Sequence, residues 1–198
     1  MRFLCSLLPL LLFCTCQSGT TSPGSAAEVY TIDSRDFQLL DMDGTAARRV
    51  ERYDVAGALV EDGYVRDSLR VGTWTVYDPV TKVPKQVTGY VDGTRNGPFF
   101  EFDEQGRLTT VANYRNGKLE GHYGKYRSGR PELTASYRNG ELDGMMVTYD
   151  IRKNKPKQEV NYKMGKKDGP LRYFNEQGEI VMEYLYRDDE KVSGGMVE

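Results

Sequence analysis

The chain has 198 residues, 28% of them charged and 11% aromatic, with a formal net charge of −2 that becomes −3 if Arg2 is lost with a leader. So even a charge balance gives no global pull toward nucleic acid, and no nucleic-acid partner is expected. No stretch after residue 16 is apolar enough to span a bilayer. All three cysteines, Cys5, Cys14 and Cys16, lie in the first 16 residues, so the body holds no disulfide framework, zinc cluster or thiol nucleophile. No cofactor and no metal site are expected.

Residues 1–15 carry Arg2 and then an apolar run from Phe3 to Phe13. The run is too short for a membrane span and has the layout of an export signal. Where a cleavage site belongs there are Cys14 and Cys16. This resembles the bacterial lipoprotein signal, in which the new N-terminal cysteine is acylated. Thr15 before Cys16 suits that signal better than Phe13 before Cys14, so Cys16 is the expected attachment site and Cys14 the alternative. A plain secretory signal cleaved near Ala26 or Ala27 is the competing reading. Residues 16–27 are small, uncharged and Gly/Ser/Pro-rich, the composition of a flexible tether.

From residue 72 a period emerges. Glycines stand at 72, 97, 121, 144, 169 and 194, spaced by 25, 24, 23, 25 and 25. Two positions after the first five come Trp74, Phe99, Tyr123, Met146 and Leu171. Five positions after them come Tyr77, Phe102, Tyr126, Tyr149 and Phe174, and a third column is Tyr90, Tyr114, Tyr137, Tyr162 and Tyr186. Residues 72–198 therefore read as five β-hairpin repeats, each of two short strands with turn chemistry between and after them. Asn116-Gly117 and Asn139-Gly140 are strong hairpin signals, because both central residues of such a turn must tolerate positive φ. Arg127-Ser-Gly129 reads as a mid-repeat turn in which Ser128 should accept a β-branched residue more readily than Gly117 or Gly140. The +2 and +5 aromatics would face opposite sides of a regular strand, which calls for a bulge or for burial on both faces.

Upstream, residues 53–71 resemble a worn half repeat. Residues 28–52 are expected to form an N-terminal cap, in which Phe37–Met42 and Arg48–Tyr53 pair around Asp43-Gly44. The fold class is all-β: one elongated antiparallel meander sheet of ten or more strands. One repeat offers about three large apolar side chains, worth roughly 1.5–3 kcal/mol each on burial. Ordering its backbone costs roughly 1–2 kcal/mol for each of some two dozen residues, so the hairpins must stack to fold.

The pattern Gly-x-(Trp/Phe/Tyr)-x-x-(Tyr/Phe), then Tyr-x-Asn-Gly-x-x-x-Gly, stands in the third repeat as GHYGKYRSGR…YRNGELDG. It resembles the MORN-repeat variant, in particular the YwqK-like antitoxin family, over about residues 53–194. The resemblance implies an elongated antiparallel sheet and a toxin-neutralising role by direct binding, and it supplies no catalytic residues.

His122 is the only imidazole and stands at a variable +1 position, so a solvent-exposed residue is expected rather than a catalytic base. Turn carboxylates such as Asp188, Asp189 and Glu190 read as solvated charge, and a carboxylate-dependent envelope enzyme is a distant alternative. The fourth repeat concentrates positive charge. Lys153, Lys155, Lys166 and Lys167, in or beside its two turns, are the candidate docking patch for an acidic partner, projecting from the ribbon's edges. The expected function is a non-catalytic binding or scaffold module, lipid-anchored in the bacterial cell envelope, whose partner is a protein or envelope component. The alternative is an antitoxin or immunity-like protein. Acylation at Cys16 predicts that the wild type partitions into the detergent phase while Cys16→Ser stays aqueous. Release by Cys14→Ser alone would move the anchor to Cys14.

Overall fold

The computed structural model describes residues 27–40 and 46–197, so Cys14, Cys16, the leader and nearly all of the tether lie outside the described residues, as does Asp43-Gly44. Chain order runs β1 (Gln38–Leu40), β2 (Arg48–Tyr53), β3 (Leu59–Arg66), β4 (Leu69–Tyr77), β5 (Pro84–Val91) and β6 (Thr94–Phe102). It continues with β7 (Leu108–Arg115), β8 (Lys118–Leu119), β9 (Gly121–Arg127), β10 (Arg130–Arg138) and β11 (Glu141–Leu142). The last five are β12 (Gly144–Asp150), β13 (Lys155–Lys163), β14 (Lys166–Phe174), β15 (Ile180–Arg187) and β16 (Glu190–Met196). All 16 belong to one open antiparallel sheet in meander order. The short β8 and β11 are the beginnings of strands that β9 and β12 continue, so the sheet has fourteen positions. At ~4.8 Å per strand the ribbon is roughly 62 Å long.

The end-of-repeat turns hold the sheet in register. Their two central residues all have positive φ: Asp67 and Ser68, Asp92 and Gly93, Asn116 and Gly117, Asn139 and Gly140, Met164 and Gly165, Asp188 and Asp189. Two such residues match the right-handed twist of the flanking strands. Ser128 in the third mid-repeat turn also lies at φ 53. It therefore belongs to the same strained class as Gly117 and Gly140, against the sequence expectation. The mid-turns of Asp54, Asp103 and Asn175 instead close on a side-chain oxygen, which accepts the N–H groups two and four residues on.

The glycine column marks a bulge. Tyr162 pairs with Lys167 and Val160 with Leu171, so Asn161 faces residues 168–170 with Gly169 in the middle. Gly97 and Gly121 occupy equivalent places opposite Gly89 and Asn113. Gly169 has φ 114, which side chains rarely adopt. Gly194, the sixth of the column by spacing, pairs directly with Tyr184 and follows a smaller irregularity. A second bulge in each repeat lies opposite the +5 aromatic, as between Glu101 and Phe102.

Register then assigns the faces. One cross-strand row runs Trp74–Thr88–Phe99–Ala112, on through Tyr123–Ala135, and then Met146–Val160–Leu171–Tyr184. Large and small residues alternate along it as far as Val160, and Trp74 is 1% exposed and Leu171 4%. The Tyr90 column lies two residues further along alternate strands, on the same face, hereafter the tyrosine face. The +5 aromatics pack on the reverse face, where the Tyr126 ring covers Gly124. Both faces are thus partly buried by their own side chains, and the bulges are present as well.

At the N-terminal end β1 pairs with β2, as the cap reading expects. Arg48 stands 24 residues before Gly72, with Val50 and Tyr53 at the +2 and +5 positions, so a repeat copy begins at residue 48. Residues 27–37 do something that no local signal announces. They run as a strap across the strands, with Ala27 against Gly117, Tyr30 N–H donating to Gly93 C=O (2.7 Å) and Ile32 N–H donating to Ser68 C=O (3.0 Å). The strap ends in a 3₁₀ turn, Ser34–Asp36, capped by Asp33. Tyr30, Ile32 and Phe37 pack on the core of Val50, Val65, Trp74 and Tyr90.

A Cβ at Gly63 would overlap the Trp74 indole, whereas Gly195 has open space and no positive φ. Gly63→Ala is therefore expected to cost about 1–3 kcal/mol in urea unfolding. Gly195→Ala should stay within about 0.5 kcal/mol of wild type. Equal midpoints for the two variants would refute the placement of Trp74.

Candidate functional site: the tyrosine face

The tyrosine face is built by two columns that meet across each hairpin. Phe99 and Tyr114 stack edge to face with centroids 5.7 Å apart, and Tyr123 and Tyr137 do the same at 5.7 Å. Each such pair is worth about 0.5–1.5 kcal/mol beyond its buried area. Over the first repeats the strap covers this face: Tyr30 meets Tyr90 at 5.2 Å and Phe37 meets Trp74 at 5.8 Å, both edge to face. From Tyr114 to Tyr186 the rings are half-buried by their sheet neighbours alone among the described residues. Burial raises the Tyr123 and Tyr137 phenols above the ordinary value of 10.0, aided by neighbouring tyrosines. Burial and a hydrogen bond to Glu28 raise Tyr30 further still.

A column of six residues lies beside the tyrosines. Arg70 pairs with Val65, Arg95 with Tyr90, Leu119 with Tyr114, Leu142 with Tyr137, Lys167 with Tyr162 and Lys191 with Tyr186. The column is cationic at both ends and apolar in the middle. Arg70 lies over Trp74 at 4.1 Å, and Arg95 lies over Tyr30 at 5.0 Å and Tyr114 at 5.5 Å. At the far end Lys167 lies over Tyr186 at 5.2 Å and Lys191 over Tyr184 at 4.2 Å. Arg70 also pairs with buried Glu61 at 2.7 Å, which Arg52 shares at 2.9 Å. Neither Lys167 nor Lys191 forms an ion pair among the described residues.

The four lysines of the fourth repeat do not form one patch. Lys153 and Lys155 are at the mid-repeat turn, and Lys166 and Lys167 follow the end turn. The nine-residue β13 separates the pairs by roughly 26 Å. Each pair fastens to the fifth repeat. Lys153 meets Glu176 at 2.6 Å, and Lys155 Nζ donates to the carbonyls of Glu176 (3.2 Å) and Gln177 (2.9 Å). Lys166 meets Asp188 at 3.6 Å, and Lys167 N–H donates to Asp189 Oδ1 at 2.8 Å. A run of charge in sequence is split here because successive turns lie at opposite margins of the sheet.

Where the strap meets β2 and β4 an open cleft of about 440 Å³ is lined by Ile32, Asp33, Phe37, Arg52, Glu61 and Arg70 among others. His122 is exposed. Among the described residues no cluster of three or more His, Cys, Asp or Glu is placed to hold a metal ion. No helix among them is long and apolar enough to cross a membrane.

No family model and no curated protein matches the chain. Among solved structures it is similar to part of S. aureus TarM in complex with fondaparinux, α-GlcNAc-glycerol and UDP, at 15% identity and a TM-score of 0.33. That match covers 48% of this chain and 19% of the other. A second crystal structure of TarM matches at 15% identity and a TM-score of 0.33, covering 49% of this chain and 19% of that one. The chain spans about a fifth of these structures' length.

The cation column is hard to read in the sequence although its spacing of 25, 24, 23, 25 and 24 tracks the glycines. Its residue types differ from copy to copy, so a search for identical side chains passes over it. The raised tyrosines predict alkaline sensitivity. In the unfolded chain they ionise near 10.0, before the folded protein releases the same protons. The stability they contribute is therefore complete below pH 10 and is lost as pH rises through the higher folded values. Urea midpoints measured between about pH 8 and 12 should fall above about pH 10, and Tyr137→Phe should flatten that fall. A flat profile in the wild type would contradict the burial of these phenols.

Proposed function

We propose that this protein is a non-catalytic binding module of the bacterial envelope, a MORN-variant repeat array held at a membrane through acylated Cys16. Its tyrosine face takes a protein or envelope partner. The observation that carries this reading is the uneven cover on one continuous surface. The strap buries the face over the first repeats, while from Tyr114 to Tyr186 the same aromatic columns have no such cover among the described residues. Tyrosine suits such a surface because it combines apolar area with a polar tip and loses little rotamer freedom on binding. Lys153, Lys155 and Lys166 at the two margins are secondary, since their ammonium groups already fasten neighbouring repeats.

Crosslinking in the native membrane tests the reading. A Tyr137→Ser, Tyr162→Ser double variant that keeps its β-sheet circular dichroism should lose most of the partner captured by wild type. Replacing Lys153, Lys155 and Lys166 with Gln, with Lys167 left in place, should reduce capture by less, and half-molar salt should leave much of it, because salt screens exposed charge and not apolar contact. Capture that survives the tyrosine variant and disappears with the lysines would transfer the site to the margins.

A further inference from the structure

The strap shows how this sheet is occupied, and the far end of the sheet repeats the conditions that hold it. Tyr30 sits against Tyr90 between two cations one repeat apart, Arg70 at 6.0 Å and Arg95 at 5.0 Å. Its N–H donates to the Gly93 turn carbonyl at 2.7 Å, and Arg70 N–H donates to its own carbonyl at 3.2 Å. The strap crosses one repeat in three residues, from Ala27 at Gly117 to Tyr30 at Gly93, and the next in two, from Tyr30 to Ile32 at Ser68. Three extended residues cover roughly 10 Å, which matches two strands at ~4.8 Å each. Tyr186 has two cations in the corresponding register. Lys191 is its cross-strand partner, as Arg95 is of Tyr90, and Lys167 lies over it at 5.2 Å, as Arg70 lies over Tyr90 at 5.8 Å. The Asp189 turn carbonyl corresponds to that of Gly93, since Asp189 N–H donates to Lys167 C=O as Gly93 N–H donates to Arg70 C=O. The three intervening tyrosines, Tyr114, Tyr137 and Tyr162, each have Leu119 or Leu142 on at least one side and form no such slot.

Resting on the reading of the tyrosine face as the binding surface, we propose that Lys167, Tyr186 and Lys191 form a second strap slot. Its occupant is an extended peptide of another protein that inserts a tyrosine between the two ammonium groups and carries an acidic residue close before it. The ring faces attract the cations, as Tyr30 does in the first slot. The acidic residue follows from charge. Arg70 already has Glu61, whereas Lys167 and Lys191 have no carboxylate partner among the described residues. One feature of the second slot resists filling: the Asp189 side chain accepts from the Lys167 N–H that would otherwise donate to the peptide carbonyl. Gly93, Gly117, Gly140 and Gly165 have no side chain at that position.

The strap's own sequence, a synthetic AEVYTIDSRDF peptide, is the probe, titrated by fluorescence anisotropy against the full-length protein in detergent. The expected result is one saturable site. Lys167→Leu or Lys191→Leu, each copying the middle repeats, should weaken it by roughly three- to tenfold. Replacing the peptide's tyrosine with alanine should abolish binding, and Asp189→Gly in the protein should tighten it. Tyr30→Ala in the protein should add a second site and leave the first unchanged. Binding seen only with Tyr30→Ala, or unaffected by both lysine substitutions, would overturn the proposal. A concentration-dependent dimer of the wild type that Tyr30→Ala dissolves would overturn it too, by making a second copy's strap the occupant. Loss of partner capture by the Tyr137→Ser, Tyr162→Ser variant, together with lysine-independent peptide binding, would leave the tyrosine face as the binding surface and remove only this slot.

Discussion

The structure depends on one recurring hydrogen bond. In the five end turns after that of Asp67 and Ser68, the second residue donates its N–H to a carbonyl one repeat earlier: Gly93 to Arg70, Gly117 to Arg95, Gly140 to Leu119, Gly165 to Leu142 and Asp189 to Lys167, all at 2.8–2.9 Å. Positive φ at both turn residues aims that N–H along the ribbon rather than into its own hairpin. Each hairpin is therefore tied to the one before it by a bond outside the strand ladder. With repeat-to-repeat register held in this way, the large and small residues alternate in one row and the cation column lines up beside the tyrosines. The strap uses the same system, because its N–H groups reach the carbonyls of Ser68 and Gly93 on these turns.

A single-layer sheet has no second layer to cover its core, so its aromatics must serve as both core and surface. Val160 and Leu171 are buried on the tyrosine face and Val147 on the reverse face, each by neighbouring side chains of the same sheet. This makes half-buried tyrosines structural and available together. The strap illustrates the consequence. It adds Tyr30 to Tyr90 and Phe37 to Trp74, each edge to face.

Much of the architecture is readable residue by residue. Asn116-Gly117 and Asn139-Gly140 declare their turns, because few other pairs accept positive φ twice in succession. Met164 and Asp189 hold the same conformation without that chemistry and are recognised only by their place in the period. Ser128 departs from its sequence expectation for a related reason. Serine is common in many turn types, and only the two-residue connection between β9 and β10 forces it to φ 53. The lysines of the fourth repeat show the opposite limit: proximity along the chain says nothing about their separation by a nine-residue strand.

By itself the sequence determined the repeat and its strand count to within a few, because turn geometry and side-chain alternation act over a handful of residues. The path of residues 27–37 belonged to the tertiary structure. That segment has no period of its own, and its partners Ser68, Gly93 and Gly117 lie some 35 to 90 positions away in the chain. The pairing of Lys167 with Lys191 about Tyr186 is tertiary for a different reason. The bulge shifts the register between facing strands, and only the assembled sheet shows which cation ends over which ring.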